Sequence, residues 1–398
     1  MLNVLSLFSG IGAFEKALER ERVLFKVMNF CEIDKYAVKS YCAIHGVPEQ
    51  INLRDVSTVN TAELHDINLI TYGFPCQDIS AAGHQKGFFD ENGNITRSGL
   101  FFAALKIIKD TKPEYAIAEN VKALTSKKFT AEFATVLDSL EQAGYNNYYK
   151  VLNAKDYGVP QNRERVFIVS IRKDVDDGSF CFPKPQTLNI CLKDVLEENV
   201  DEKFYLSQDK IKSLKASSFM LETKCVIKKE IEIVGHTKSG GERSAILSTT
   251  GICNCLSATD YKQPKQIVED AKVMQVGNLI NDADKNFKNP QCGRVYDSVG
   301  LSPCLSTMQG GGQEPKILNC NLNDTGCNNK GLAAINDFKV RKITPLECWR
   351  LMGFDDDDFY KAQNVGISNS QLYKQAGNSI VVNVLQAIFR QFNFEKVA

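Results

Sequence analysis

Apolar and polar positions in the first 185 or so residues alternate between two periods. Short apolar runs at 4–8, 25–31, 67–72, 115–118 and 165–171 predict strands. Between them, apolar residues fall three or four apart, as on one face of a helix. Phe14, Ala17 and Leu18 share one such face and Ala37 and Tyr41 another. Helices are also expected at 100–109 and 133–143, the last stopped by Gly144. Strand and helix in turn predict an α/β fold, a mostly parallel, doubly wound sheet covered on both sides.

Near residue 180 the texture changes. Residues 190 to 335 lose the alternation and fill with Asn, Gly, Gln, Ser and Lys. They also hold an internal echo: GICNCLSATDYKQPKQI from Gly251 and GLSPCLSTMQGGGQEPKI from Gly300. Two copies are too few for a solenoid and predict two strand-loop-strand elements within one irregular unit. Regular patterning resumes near Lys339. Cys348 and Trp349 are expected in a helix core, Asp355 to Asp358 in a solvated loop. GNSIVVNVLQAIF is expected to form one amphipathic helix, capped by Asn378 or Ser379. The expected division is a regular domain of 1–185 plus 338–398 interrupted by an irregular one of 186–337.

Lys+Arg and Asp+Glu are equal at 48 each, so net charge gives no nucleic-acid signal and any DNA-reading charge must gather on one face. The amino terminus lacks the pattern of a signal peptide, and no apolar run approaches the roughly 18 residues of a membrane span. A cytoplasmic protein is expected, associated with the nucleoid when bound to DNA. The 13 cysteines are an odd number without Cys-x2-Cys spacing, which argues against both a disulfide framework and a zinc site. No metal is expected.

Phe8-x-Gly10-x-Gly12 follows the first strand, a glycine turn that lets a ligand approach backbone at a helix start. Glu32 ends the next strand, where an acidic side chain can hold ribose hydroxyls. Asp55-Val56 is a candidate third contact, to an adenine ring. The set points to an adenosine-containing cofactor without separating a dinucleotide from S-adenosylmethionine.

Gly73-Phe74-Pro75-Cys76-Gln77 places a cysteine just past a strand's carboxyl end, where open α/β sheets keep their ligand sites. Pro75 fixes its own φ and restricts Phe74, so the loop can aim a thiol reproducibly. An arbitrary cysteine is a small core filler, but that reading leaves the surrounding Gly, Pro and Gln without a reason. Glu119-Asn120 ends a later strand on the same rim, a carboxyl group able to donate to or accept from a heterocyclic nitrogen. Gln161-Asn162-Arg163-Glu164-Arg165 opens another strand. Its arginines are either a surface cluster paired with Glu164 or groups that hold a base or phosphate and stabilise a thiolate.

These blocks, in order, resemble the cytosine-5 DNA methyltransferase family. LFSGIGAFEKAL, CEIDKYA, GFPCQDIS, AENV, QNRERVFIV, RKITPLECWRLMGF and GNSIVV are similar to seven of its motifs. TRSGLFF, with Arg97 and Leu100, resembles an eighth, although Ser98 stands where the family places glycine nearer the arginine. The resemblance implies a Rossmann-like methyltransferase domain, S-adenosylmethionine as cofactor, and an inserted target-recognition domain. It implies that Cys76 is the nucleophile toward carbon 6 of a flipped cytosine, with Pro75 and Gln77 shaping its loop. Glu119 would engage nitrogen 3, Asn120 would hold the loop, and Arg163 and Arg165 would steady base and cysteine. Phe8, Gly10, Gly12, Glu32, Ile33, Asp55, Val56, Asn378 and Ser379 would form the cofactor pocket.

The resemblance also implies a double-stranded DNA partner, a monomer, and a companion restriction endonuclease or an orphan methylase role. Arg243, Lys262, Lys265, Arg294 and Lys316 are the candidate DNA-reading residues of the irregular segment. Two other readings are an RNA cytosine-5 methyltransferase and, from a different class, a nicotinamide-dependent oxidoreductase built on the glycine turn.

Overall fold

The computed structural model describes residues 1–75, 88, 96, 98–190, 192–204, 233–236, 245–247, 275–278, 294–297, 316–319 and 339–397. The chain divides into two compact units, one of residues 1–157, 164–187 and 352–398, the other of 158–163 and 188–351. Residues 339–351, read from the sequence with the regular domain, cluster with the second unit.

The first unit is built on a six-stranded sheet ordered β2-β1-β3-β4-β6-β5. Its strands are β1 (Leu2–Leu7), β2 (Phe25–Cys31), β3 (Leu69–Tyr72), β4 (Tyr115–Val121), β5 (Tyr145–Asn153) and β6 (Glu164–Arg172). Strands β2, β1, β3 and β4 are parallel, and β6 runs antiparallel between β4 and β5. The sequence pattern does not predict β5. Its Tyr-Asn-Asn-Tyr-Tyr-Lys run has no clean alternation, because edge residues such as Tyr149 remain exposed.

Both faces of the sheet are buried, as near-continuous apolar strands require. On one face Leu5, Leu7, Ile70, Tyr72, Ala116, Ala118, Val166 and Ile168 share a core with α3 (Phe101–Thr111) and α4 (Thr130–Gln142). On the other, Val4, Leu69, Ile117, Phe167 and Val169 are equally inaccessible. Helix α1 (Ala13–Arg20) packs on α8 (Val382–Phe389), and α2 (Lys35–His45) on α6 (Asp356–Asn364).

The chain leaves β1 toward β2 on one side and resumes at β3 on the other. Such a reversal opens a crevice beyond the carboxyl ends of β1 and β3, where ligands of open α/β sheets sit. The glycine turn and the Gly73–Pro75 segment emerge there.

Two sequence expectations are corrected here. Gly377 and Asn378 form the last turn of α7 (Asn369–Asn378), not the start of a helix. Ser379 closes it, donating its N–H to the Gln375 and Ala376 carbonyls, and the extended Ser379–Val381 segment breaks the expected single helix in two. Asp355–Asp358 is not a solvated loop either. Asp355 caps α6 in a reciprocal box with Asp358, which is buried against Lys16 at 3.0 Å.

The second unit holds a four-stranded sheet ordered β12-β11-β10-β9, from Lys339–Lys342, Lys316–Asn319, Arg294–Asp297 and Gln275–Asn278, and a hairpin of β7 (Ile233–His236) and β8 (Ala245–Leu247). Strands β10 and β11 are parallel and the outer pairings antiparallel. Helix α5 (Pro345–Leu351) carries Cys348 and Trp349 fully buried, as the sequence predicts. The two Cys-Leu-Ser repeats lie outside the described residues. Among the described residues no helix is long and apolar enough to cross a membrane.

Candidate active site

Strand β3 is buried throughout and ends at Tyr72, just before Gly73. Phe74 then anchors the departing chain, its ring 5.5 Å from Phe101 and inside the core shared with α3. Asn120 Nδ2 donates to the Phe74 carbonyl oxygen at 3.0 Å, a buried bond, while its Oδ1 accepts the Val121 N–H at 2.8 Å. The base of the loop that continues to Cys76 is therefore fixed from the side by the neighbouring strand. Cys76, Gln77 and Arg97 lie outside the described residues; Pro75, half-buried, is the last described residue before them.

Glu119 precedes Asn120 in β4, so the two side chains project to opposite faces. Asn120 holds the loop while the Glu119 carboxylate lies over Gly73, where a β-carbon would stand 3.8 Å from Glu119 Oε2. Arg165, opposite Val121 in the β4–β6 ladder, donates Nε to Glu119 Oε1 at 3.0 Å. The pair is largely buried, at 12% and 19% side-chain exposure, so its orientation is well defined. Glu164, the alternative partner for the arginine block, is met instead by Lys122 Nζ at 2.9 Å from both oxygens. Arg163 is buried within the 158–163 segment of the second unit, as is Gln161, whose Nε2 donates to the Leu351 carbonyl at 2.7 Å.

At the other end of the crevice, Phe8, Gly10 and Gly12 all have positive φ, of 54°, 57° and 83°. A left-handed phenylalanine is costly and persists only where its surroundings hold it. Here Phe8 packs on the core, and Ser9 N–H donates to the Cys31 carbonyl at 3.0 Å. Gly10 N–H donates to Glu32 Oε2 at 2.9 Å, and Glu32 Oε1 accepts the Asp34 N–H at 2.8 Å. Burial pushes the Glu32 carboxyl up, against the backbone donors that pull it down.

Beside Glu32, the apolar Ile33 is 77% exposed. An exposed isoleucine next to a carboxylate that is itself bonded to a glycine turn suits a flat heterocycle joined to a diol. The residues fit an adenosine group. Asp55 is exposed and turned toward Ser57, accepting from its N–H at 2.9 Å, whereas the Val56 side chain is buried in the core. Burial, with Asp55 and Glu32 nearby, raises the Cys31 thiol to about 12, so that cysteine stays protonated and inert.

The carboxyl-terminal segment reaches the same rim. Ile380 Cδ1 would stand 3.8 Å from a β-carbon at Gly73; Asn378 is exposed and Ser379 buried. Helix α7 is tied to α2 by Lys374 Nζ to Asp34 Oδ2 at 2.6 Å and by Ser40 Oγ to Gln375 Oε1 at 3.1 Å. Sequence reasoning missed these ties, and no local signal marks partners more than 300 residues apart. Arg294 and Lys316 fall in β10 and β11, with side chains that are not described, and Arg243, Lys262 and Lys265 lie outside the described residues.

The family model for C-5 cytosine-specific DNA methylase matches residues 2–393. An orphan methyltransferase of Bacillus phage SPR, M.SPRI, is 35% identical over 98% of this chain and 97% of its own. The type II methyltransferase M.HhaI of Haemophilus parahaemolyticus is 32% identical over 97% and 93% respectively. Among solved structures, the S. pombe Dnmt2 methyltransferase is similar at a TM-score of 0.58, with 16% identity over 99% of this chain and 100% of that one, a likeness of fold.

Proposed function

Because the chain belongs to the C-5 cytosine-specific DNA methylase family and is a DNA cytosine-5 methyltransferase, we propose how its residues divide the reaction. The cofactor is S-adenosylmethionine, held by Phe8, Gly10, Gly12, Glu32, Ile33, Asp55, Val56, Asn378 and Ser379. Residues 186–337 read the DNA target, with Arg243, Lys262, Arg294 and Lys316 as contacts. The substrate is a specific sequence in double-stranded DNA, acted on by a cytoplasmic monomer serving as an orphan methylase or beside a restriction endonuclease.

Carbon 5 of cytosine is a weak nucleophile. Addition of the Cys76 thiolate at carbon 6 makes it enamine-like, with electrons flowing toward nitrogen 3. Glu119 holds a proton at that nitrogen, Arg165 orients Glu119, and Arg163 steadies the thiolate. S-adenosylmethionine, when bound, supplies an electrophilic methyl group carried on a sulfonium. Loss of the carbon 5 proton to a base then expels Cys76 as thiolate and restores the ring. The target base is stacked in duplex DNA, so it is flipped into the crevice at a cost of a few kcal/mol.

The observation that carries this reading is the joint placement of Glu119 and Asn120. One residue aims a carboxylate over Gly73 and the next fixes the Phe74 carbonyl, two residues before Cys76. Bisulfite sequencing of DNA from cells expressing the chain is expected to show methylated cytosines in one sequence context. Cys76→Ser is expected to abolish that signal while keeping cofactor affinity. A duplex containing 5-fluorocytosine is expected to trap a covalent adduct at Cys76; a trap that forms equally well in Cys76→Ser would refute the assignment.

A further inference from the structure

The glycines of the cofactor turn are not equivalent. A β-carbon at Gly10 would meet nothing within 4 Å among the described residues. A β-carbon at Gly12 would overlap the imidazole of His45, at Nε2, Cδ2 and Cε1. Gly10 leaves open space beside the turn. Gly12 leaves room on the inside, and the protein itself fills it.

His45 stands in the last turn of α2, and its Nε2 lies 3.1 Å from the Ile11 carbonyl oxygen. A carbonyl only accepts, so Nε2 carries the hydrogen. The ring is held on its other side by Tyr41, at 4.7 Å between centroids, and Tyr41 stacks on Phe30 at 4.2 Å. Glu15, fully buried on α1, contributes a carboxylate to the same interior. Burial lowers the histidine despite that carboxylate, which leaves the ring neutral. A neutral ring with its hydrogen on Nε2 has Nδ1 as the remaining acceptor.

We infer that His45 is a positioning residue for the cofactor turn: it grips the Ile11 carbonyl from behind, and Gly12 is glycine to admit its ring. The inference rests on the reading of Phe8–Gly12 as the cofactor site. The turn holds three left-handed residues in five, so it needs restraint from more than its own backbone. Its other restraints come from the Cys31 carbonyl, Glu32 and the Ser9 carbonyl. The grip of His45 is the one that reaches the turn from α2. Its loss frees the Ile11 peptide, and with it the path of the backbone from Gly10 into α1.

Titration of the full chain with S-adenosylhomocysteine, by calorimetry, tests the inference. His45→Leu, which keeps bulk but not the donor, is expected to weaken binding about tenfold, the scale of one lost hydrogen bond. His45→Gln can present an amide N–H to the same carbonyl and is expected to recover most of the affinity. KM for DNA is expected to stay unchanged in both. In the wild-type chain, nitrogen-15 spectra of the imidazole are expected to show the neutral Nε2–H form at pH 7, shifting when the ligand is added. A wild-type chain that does not bind the ligand would refute the cofactor reading itself. A wild-type chain that binds, with His45→Leu binding equally or with the ring in the Nδ1–H form, would overturn the role of His45 alone. Equal loss in both variants, together with a lower Tm, would reduce His45 to a core residue and overturn it too.

Discussion

Asn120 donates its side-chain amide to the Phe74 carbonyl oxygen at 3.0 Å in the interior of the molecule. The bond joins the end of β4 to the base of the loop after β3, and the same Asn also accepts the Val121 N–H. A strand that already carries the Glu119 carboxylate thus sets the take-off direction of the segment leading to Cys76. Two neighbouring residues, pointing to opposite faces, set an acid over Gly73 and fix the chain at Phe74.

Asn120→Ala removes that tie and leaves the Phe74 carbonyl unpartnered by it. Small misplacements of reacting groups cost about a hundredfold in rate. Single-turnover methyl transfer is expected to fall by about 10- to 100-fold, while S-adenosylhomocysteine affinity stays within about twofold. A variant with wild-type turnover would show that the loop is aimed by something else.

Glu119 and Arg165 are expected to act as a unit. Glu119→Gln should reduce turnover by about 10²- to 10⁴-fold, the range for a positioned acid or base. Arg165→Ala should cost less, because the carboxylate remains but loses its orienting partner at 3.0 Å. The double variant is expected to be no worse than Glu119→Gln alone. Multiplicative losses in a kinetic double-mutant cycle would argue that the two residues work independently.

Lys16 is a buried cation, 3.0 Å from both Asp355 and Asp358, and Asp358 is 1% exposed. Burial opposes its charge, but the carboxylates outweigh that and raise Lys16 above its ordinary value. Lys16→Met would strand Asp358 in the interior, at a cost of about 3–5 kcal/mol. Urea unfolding should show that loss, and Lys16→Met with Asp358→Leu should recover much of it. A single variant as stable as wild type would mean the pair is not buried in solution.

The Asp34–Lys374 pair predicts a stability that depends on pH. Burial alone would raise the Asp34 carboxyl, but Lys374 and the N–H groups of Tyr36 and Ala37 outweigh it and hold the carboxyl below its ordinary value. A depressed carboxyl contributes stability above its unfolded value, near 4, and loses it as pH falls through the folded value. Lys374→Met is therefore expected to lower stability by about 1 kcal/mol at pH 7, and by little once the pH has fallen through the folded value of Asp34. Melting curves of both proteins across that range check the convergence.

Alanine at the two turn glycines should separate binding from stability. Gly10→Ala adds a methyl group into open space at φ 57°, a backbone penalty of about 1–2 kcal/mol. Its main effect is expected on S-adenosylhomocysteine affinity. Gly12→Ala collides with the His45 ring as well, so it is expected to lower Tm more. The reverse order in a thermal-shift comparison would mean the roles of the two glycines are exchanged.

The sequence by itself determined the α/β class and the order of the motif blocks. Each of those depends on short-range patterning: apolar runs for β1 to β4 and β6, glycines where φ must be positive, and a proline that stiffens its loop. Only the tertiary structure decided what the polar side chains do once there. Asp358 reads as solvated until it meets Lys16, 342 residues away, and Asn378 reads as the start of a helix until Ser379 bonds back to Gln375 and Ala376. Gly12 reads as space for a ligand until His45 fills it. Partner choice for a buried charge, amide or ring is a long-range matter, settled by which elements the sheet order brings together, and no local period encodes it.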